Sequence, residues 1–208
     1  MRAPVTALLA LGLAALPPGA RAQPALEEVG SWLTGCSTDR MTDRAECRML
    51  HRQPVEPASA GQAALTLEVM ERSGTLVPVV AARDLTLEGA ARGLLAFTGT
   101  AQLRFPPNRL FEMPCALEGR SVVCAPKAED AARAAAELAA ADRALVRMTG
   151  LLPGEQARAE PVELRLSRTG DALSRLRARL PQGVATPPPA PGFDLRDLLG
   201  RLLRFFQE

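Results

Sequence analysis

The chain has 208 residues, with 25 basic and 23 acidic side chains, one Trp, six Phe and no Tyr. So even a balance, with basic groups scattered among acids, gives a nucleic-acid binder neither its electrostatic footprint nor its stacking surfaces. A zinc centre has little to build on: the four cysteines lack C-x-x-C spacing and there is one histidine, His51.

Residues 1–22 read as a secretory signal. Arg2 supplies the positive start, Val5 to Leu16 is apolar, Pro17-Pro18-Gly19 breaks it, and Ala20-Arg21-Ala22 is a cleavage site before Gln23. The apolar run is shorter than the roughly 20 residues a spanning helix needs, so cleavage is expected rather than anchoring. Processing removes Arg2 and Arg21, so the 25 basic residues fall to 23, against 23 acids. The expected compartment is therefore the periplasm or the exterior, with outer-membrane association as a variant of it.

In an oxidising compartment four cysteines imply disulfides. Pairing of neighbours, Cys36 with Cys47 and Cys115 with Cys124, suits hairpin closure; a crossed pairing between sheets stays open. Leu33-Thr-Gly-Cys36 imitates a lipobox, but Glu27 and Glu28 separate it from the apolar run.

In chain order, residues 23–28 read as a loose lead. Val29 to Cys36 is predicted as one strand that delivers Trp32 to the core as its anchor. Asp39 and Asp43 belong to a polar turn beside Arg40 and Arg44. In the return strand Cys47, Met49 and His51 share one face and Arg48, Leu50 and Arg52 the other. A Pro/Ala/Gly link over 54–61 leads to a strand in which Leu65, Leu67 and Val69 alternate with Thr66 and Glu68. Leu76 to Ala81 is apolar, and Pro78 predicts an edge strand or one that begins after it. Leu85–Leu87 and Leu94–Phe97 are short strand candidates, followed by Ala101 to Phe105 and a Pro106-Pro107-Asn108 turn. Leu110–Cys115 and Ser121–Cys124 form a second stapled hairpin with Glu118-Gly119 at its tip. The Ala-rich stretch 127–142 is predicted helical, lying lightly on the body because Leu138 is its one large apolar residue. Ala144–Thr149 and Pro161–Leu166 are predicted strands, and a helix from Gly170 presents Leu173, Leu176 and Leu180 on one face.

Residues 184–192 are a proline-rich spacer. In 193–208 an amphipathic helix is expected, with Leu195, Leu198, Leu199, Leu202 and Phe206 on one face. Its acids and arginines cancel, which favours docking to protein over contact with anionic lipid, and folding back on its own domain is an equal alternative.

Gly30-x-Trp32-x-x-x-Cys36, the run Cys47-Arg-Met-Leu-His-Arg-Gln53 and Cys115 through Cys124 together resemble the invasion-associated locus B family. Val162 to Ser167 with the helix from Gly170 to Leu180 is similar to that family's closing segment, although Thr169-Gly170-Asp171 stands where the family has Gly-Phe. The resemblance covers about residues 29–181. It implies an exported bacterial cell-envelope protein with an immunoglobulin-like β-sandwich over residues 23–183, mainly β with one or two short helices, and no assigned biochemical activity.

Catalysis finds little support. His51 is the only imidazole and lies within a strand; no G-x-S-x-G elbow, P-loop or dinucleotide fingerprint is present. The expectation is a non-catalytic module without a cofactor or metal, whose partner is an unidentified envelope or host protein. The alternative is an envelope hydrolase that uses paired carboxylates.

Overall fold

The computed structural model describes residues 26–38, 41, 45–59, 63–83, 85, 99–149 and 160–180. The signal sequence, most of the 39–44 turn, the Leu85–Leu87 strand candidate beyond Leu85, the Leu94–Phe97 candidate, the proline-rich spacer and the amphipathic helix carrying Leu195, Leu198, Leu199, Leu202 and Phe206 lie outside them.

The protein is mainly β. The strands are β1 (Glu27–Val29), β2 (Trp32–Thr38), β3 (Ala45–His51), β4 (Leu65–Arg72), β5 (Thr75–Ala82), β6 (Thr100–Arg104), β7 (Phe111–Glu118), β8 (Ser121–Cys124), β9 (Arg143–Thr149) and β10 (Val162–Arg165). A 3-10 turn at Ala128–Asp130 leads into helix α1 (Ala131–Ala140), and α2 is Thr169–Arg179. All ten strands are antiparallel in one unbroken order, β1-β2-β3-β4-β5-β8-β7-β6-β9-β10, which curls into a half-barrel with two helices. The division into two stacked sheets that the sequence led us to expect is not clear from this pairing. The nearest thing to a seam is in β7. Its first half pairs with β6 and its second, from Cys115 on, with β8, so the strand changes neighbours after Pro114.

Turn chemistry sets the register. Ser73 and Gly74 both have positive φ, as a two-residue type I′ hairpin requires, and they join β4 to β5. Gly119 alone is positive in the Gly119-Arg120 turn between β7 and β8, the pattern of type II′. The predicted strand from Val29 to Cys36 is broken by the same device. Gly30, with φ +63°, turns the chain at Gly30-Ser31, so Glu27 and Glu28 belong to β1 rather than to a loose lead.

Pro78 lies inside β5, not at its start, and β5 is paired on both sides. Counting out from the hairpin, Val69–Pro78 falls on a non-hydrogen-bonded position, so β4 loses nothing by the missing N–H. On the other side β8 pairs with β5 only from Val80 onward, and α1 packs beside the strand. A helix over an open edge removes the reason to expect proline at the margin.

The concave side holds one core. Trp32, Met49, Leu67, Leu103, Phe105, Phe111 and Met113 are fully buried there, joined by Ala134 and Leu138 of α1 and by Leu173 and Leu176 of α2. The expectation that α1 lies lightly on the body is corrected: Leu138 is completely enclosed. The alanines of α1 let its backbone approach closely, so one leucine reaches where a bulkier helix would be held off. Arg133 caps Phe111, its guanidinium 3.8 Å from the ring centroid. The hydrogen bond to Asp130, opposed by desolvation and aided by the bond to Glu137, raises the pKa of that guanidinium.

Both neighbour disulfides are present, Cys36–Cys47 and Cys115–Cys124, and no described cysteine is free. Each joins residues directly opposite in the ladder. Counted from the Gly119-Arg120 turn, Cys115–Cys124 occupies a non-hydrogen-bonded pair, where facing side chains come closest.

Candidate functional site

Two groups of polar side chains stand out, and each is built across segments distant in sequence. The first closes the corner where the beginning of the sheet meets its end. The Gly30-Ser31 turn meets Ser167, which follows β10. Ser31 N–H donates to Ser167 O at 3.3 Å, and Ser167 N–H donates to Ser31 Oγ at 2.9 Å. Below this contact Trp32 Nε1–H donates to Thr169 Oγ1, the first residue of α2, at 3.1 Å. Arg168 just before it adopts the left-handed conformation, with φ 55°, which swings the chain from strand to helix. On the outside, Glu27 of β1 pairs with Arg175 and Arg179 of α2, the second at 2.7 Å.

His51 belongs to this corner. Its ring meets Trp32 edge-on, with centroids 5.4 Å apart and planes at 86°. Nε2 lies 3.0 Å from Arg165 O, and Nδ1 lies 3.1 Å from Gln53 N. Nδ1 also lies 2.9 Å from Gln53 O, so both nitrogens are engaged by backbone. The side chain is buried. It braces the end of β3 against the end of β10, and its nitrogens are not turned towards a substrate.

The second group lies on the convex face. Glu68 is the one buried acid among the described residues, with 1% of its surface exposed. Arg83 grips Oε2 through Nε at 3.0 Å and Nη2 at 2.6 Å, and Arg48 reaches Oε1 at 3.3 Å. Thr66 Oγ1 donates to the same Oε1 at 3.1 Å. This cradle ties β3, β4 and the end of β5 together. A carboxylate engaged on both oxygens acts as a brace between strands. The Arg48 Nε–H stays buried without an acceptor.

Replacing Glu68 with alanine leaves two partly buried cations facing one another. It is expected to cost about 2 kcal/mol, discounted from the full buried-pair value because both arginines keep some contact with water. Urea unfolding reads this directly. A midpoint that does not move would mean that the arginines are hydrated and the cradle is ornamental.

Of the residues singled out from sequence, the structure places Trp32 at the closing corner and pairs Cys36 with Cys47 and Cys115 with Cys124. The docking face of the C-terminal helix falls outside the described residues. Sequence reasoning missed Glu68, Arg83, Thr169 and the Ser31–Ser167 contact. Glu68 occupies an ordinary outward position in an alternating strand, and Arg48 of β3 and Arg83, just after β5, cover it. Among the described residues no three His, Cys, Asp or Glu side chains come together as a metal site, and no helix is long and apolar enough to cross a membrane.

These features define a disulfide-stapled, curled antiparallel β-domain whose two helices fill its concave side. Comparison with family models, curated proteins and solved structures finds no match to this chain.

Proposed function

We propose that the chain is an exported, non-catalytic module of the bacterial cell envelope, of the invasion-associated locus B type, which binds or braces other proteins through its surface. One observation supports this above the others: the side chains with chemical potential in the described body are spent on holding it together. All four cysteines are in bridges, His51 is clasped by the backbone of Gln53 and Arg165, and Glu68 by two arginines and a threonine. The disulfides fit an oxidising, extracytoplasmic setting. The change of neighbours along β7 supports the finer reading of the fold as a two-layer, immunoglobulin-like sandwich. The rival reading is a hydrolase with paired carboxylates; Glu68, the one buried acid among the described residues, is paired with arginines and not with a second acid.

In this proposal residues 193–208, beyond the proline-rich spacer, dock an envelope or host protein. The test compares the whole exported protein with a version ending at residue 183, each used to capture partners from a periplasmic extract. The full chain is expected to retain a protein that the shortened one loses, and the mature form to begin at Gln23. Identical recovery from both, or an unprocessed product that stays in the cytosol, overturns the reading.

A further inference from the structure

The even charge of the chain hides a local concentration that only the pairing of strands produces. Arg165 ends β10 and Arg143 begins β9, and the register sets them directly opposite each other on the convex face. Like charges facing across a ladder oppose its formation. Both guanidinium groups are exposed, and neither makes an ion pair or a side-chain hydrogen bond among the described residues. Arg104 ends β6 one strand further on, opposite Leu145 of β9. Its Nε–H donates to Asn108 O and its Nη2–H to Pro107 O, which ties the head to the turn after β6, and Arg109 is exposed in the same turn. Glu163, Asp142 and Glu112 are the exposed acids nearest this end, and the four arginines Arg104, Arg109, Arg143 and Arg165 outnumber them. Leu110, just before β7, is 45% exposed next to Arg109.

The geometry points to a docking surface for an anionic phospholipid layer at this end of the sheet, with Arg143 and Arg165 sharing a headgroup phosphate. Charge complementarity carries the inference. Two unneutralised arginines held face to face oppose the fold, and a phosphate oxygen between them removes the repulsion while satisfying both planar forks. The arginines come from β6, β9, β10 and the turn after β6, which spreads them along a sheet end, and an exposed leucine stands among them. That combination matches a headgroup layer with acyl chains beneath it. Nucleic acid fits less well: Phe105 and Phe111 are buried, so among the described residues this end offers no ring for stacking. The inference stands apart from the proposed function, because it needs neither export nor the C-terminal helix.

The experiment uses the full mature chain with vesicles of phosphatidylcholine alone and of phosphatidylcholine mixed with phosphatidylglycerol, at low ionic strength. The wild type is expected to sediment with the mixed vesicles only and to be released by salt. Arg165→Glu puts a carboxylate opposite Arg143. It is expected to weaken vesicle binding roughly tenfold or more. The same change should raise the melting temperature by about 1–4 °C, because it replaces a repulsive cross-strand pair with an attractive one. Arg177→Glu, on the exposed side of α2, makes the same change in net charge and is expected to leave binding within about twofold. Loss of binding together with a gain in stability supports the proposal. It is overturned if the wild type ignores the anionic vesicles, if Arg165→Glu binds them as well as the wild type, or if Arg177→Glu weakens binding equally.

Discussion

Replacing Gly30 with alanine is expected to destabilise the oxidised protein by about 3 kcal/mol or more, among the largest effects of a single methyl group anywhere in the described body. Two causes act together. With φ +63° the residue occupies the left-handed region, which costs a side-chain-bearing residue about 1–2 kcal/mol. A Cβ there would also lie 2.3 Å from Ser167 O and 2.9 Å from Arg168 Cβ. The first of these is backbone, so relief requires the two ends of the curled sheet to part. Gly119 provides the comparison. Its φ is +60°, yet a Cβ would meet nothing within 4 Å, so Gly119→Ala is expected to cost only about 1 kcal/mol. Denaturant unfolding of both variants separates strain from collision. Equal losses would show that the contact between Ser31 and Ser167 contributes nothing to closure.

The second large effect concerns the bridges. Loops closed over sequence separations of 11 and 9 residues each contribute about 2.5–3 kcal/mol in the chain-entropy treatment. Replacing all four cysteines with serine therefore removes about 5 kcal/mol, against a total stability of about 5–15 kcal/mol for a typical domain. The protein should fold oxidised and be marginal or unfolded when reduced, as read by circular dichroism with and without dithiothreitol. The two bridges are not equivalent in the fold. Cys36–Cys47 sits on the half of the β2–β3 hairpin that β4 does not reach, since β3 pairs with β4 only at Met49 and Leu50. Its loss should open that hairpin locally. Cys115–Cys124 lies where β7 passes from one neighbour to the other, so its loss should lower the stability of the whole sheet. Amide exchange on the separate double-serine variants distinguishes the two patterns. Uniform loss of protection in both would contradict the division.

Most strands were legible because alternation of apolar and polar residues reports one buried face directly. Leu65, Leu67 and Val69 face the core as expected, and so do Met49 and His51. The helices were legible too, from alanine propensity in one and leucine spacing in the other. What misled was context. Pro78 read as a sign of an edge, yet its missing donor falls on a silent rung of the ladder beside an open stretch covered by α1. Leu138 read as too little to bury a helix, because its depth depends on how closely the alanines around it approach β5. The unbroken order of ten strands likewise depends on β7 serving two neighbours, and alternation within a strand carries no record of who its neighbours are.

Sequence by itself therefore determined the local terms: which residues extend, which coil, where Gly119 allows a reversal, and which cysteines lie within reach of one another. These are decided within a few residues, by dihedral preference and side-chain period. Tertiary structure alone decided that Trp32 finds Thr169, that Ser31 meets Ser167, that Glu68 is gripped by Arg83, and that Arg143 confronts Arg165. Each of these joins groups brought together by the curl and register of the sheet, a geometric sum over many residues that no single stretch of the chain encodes.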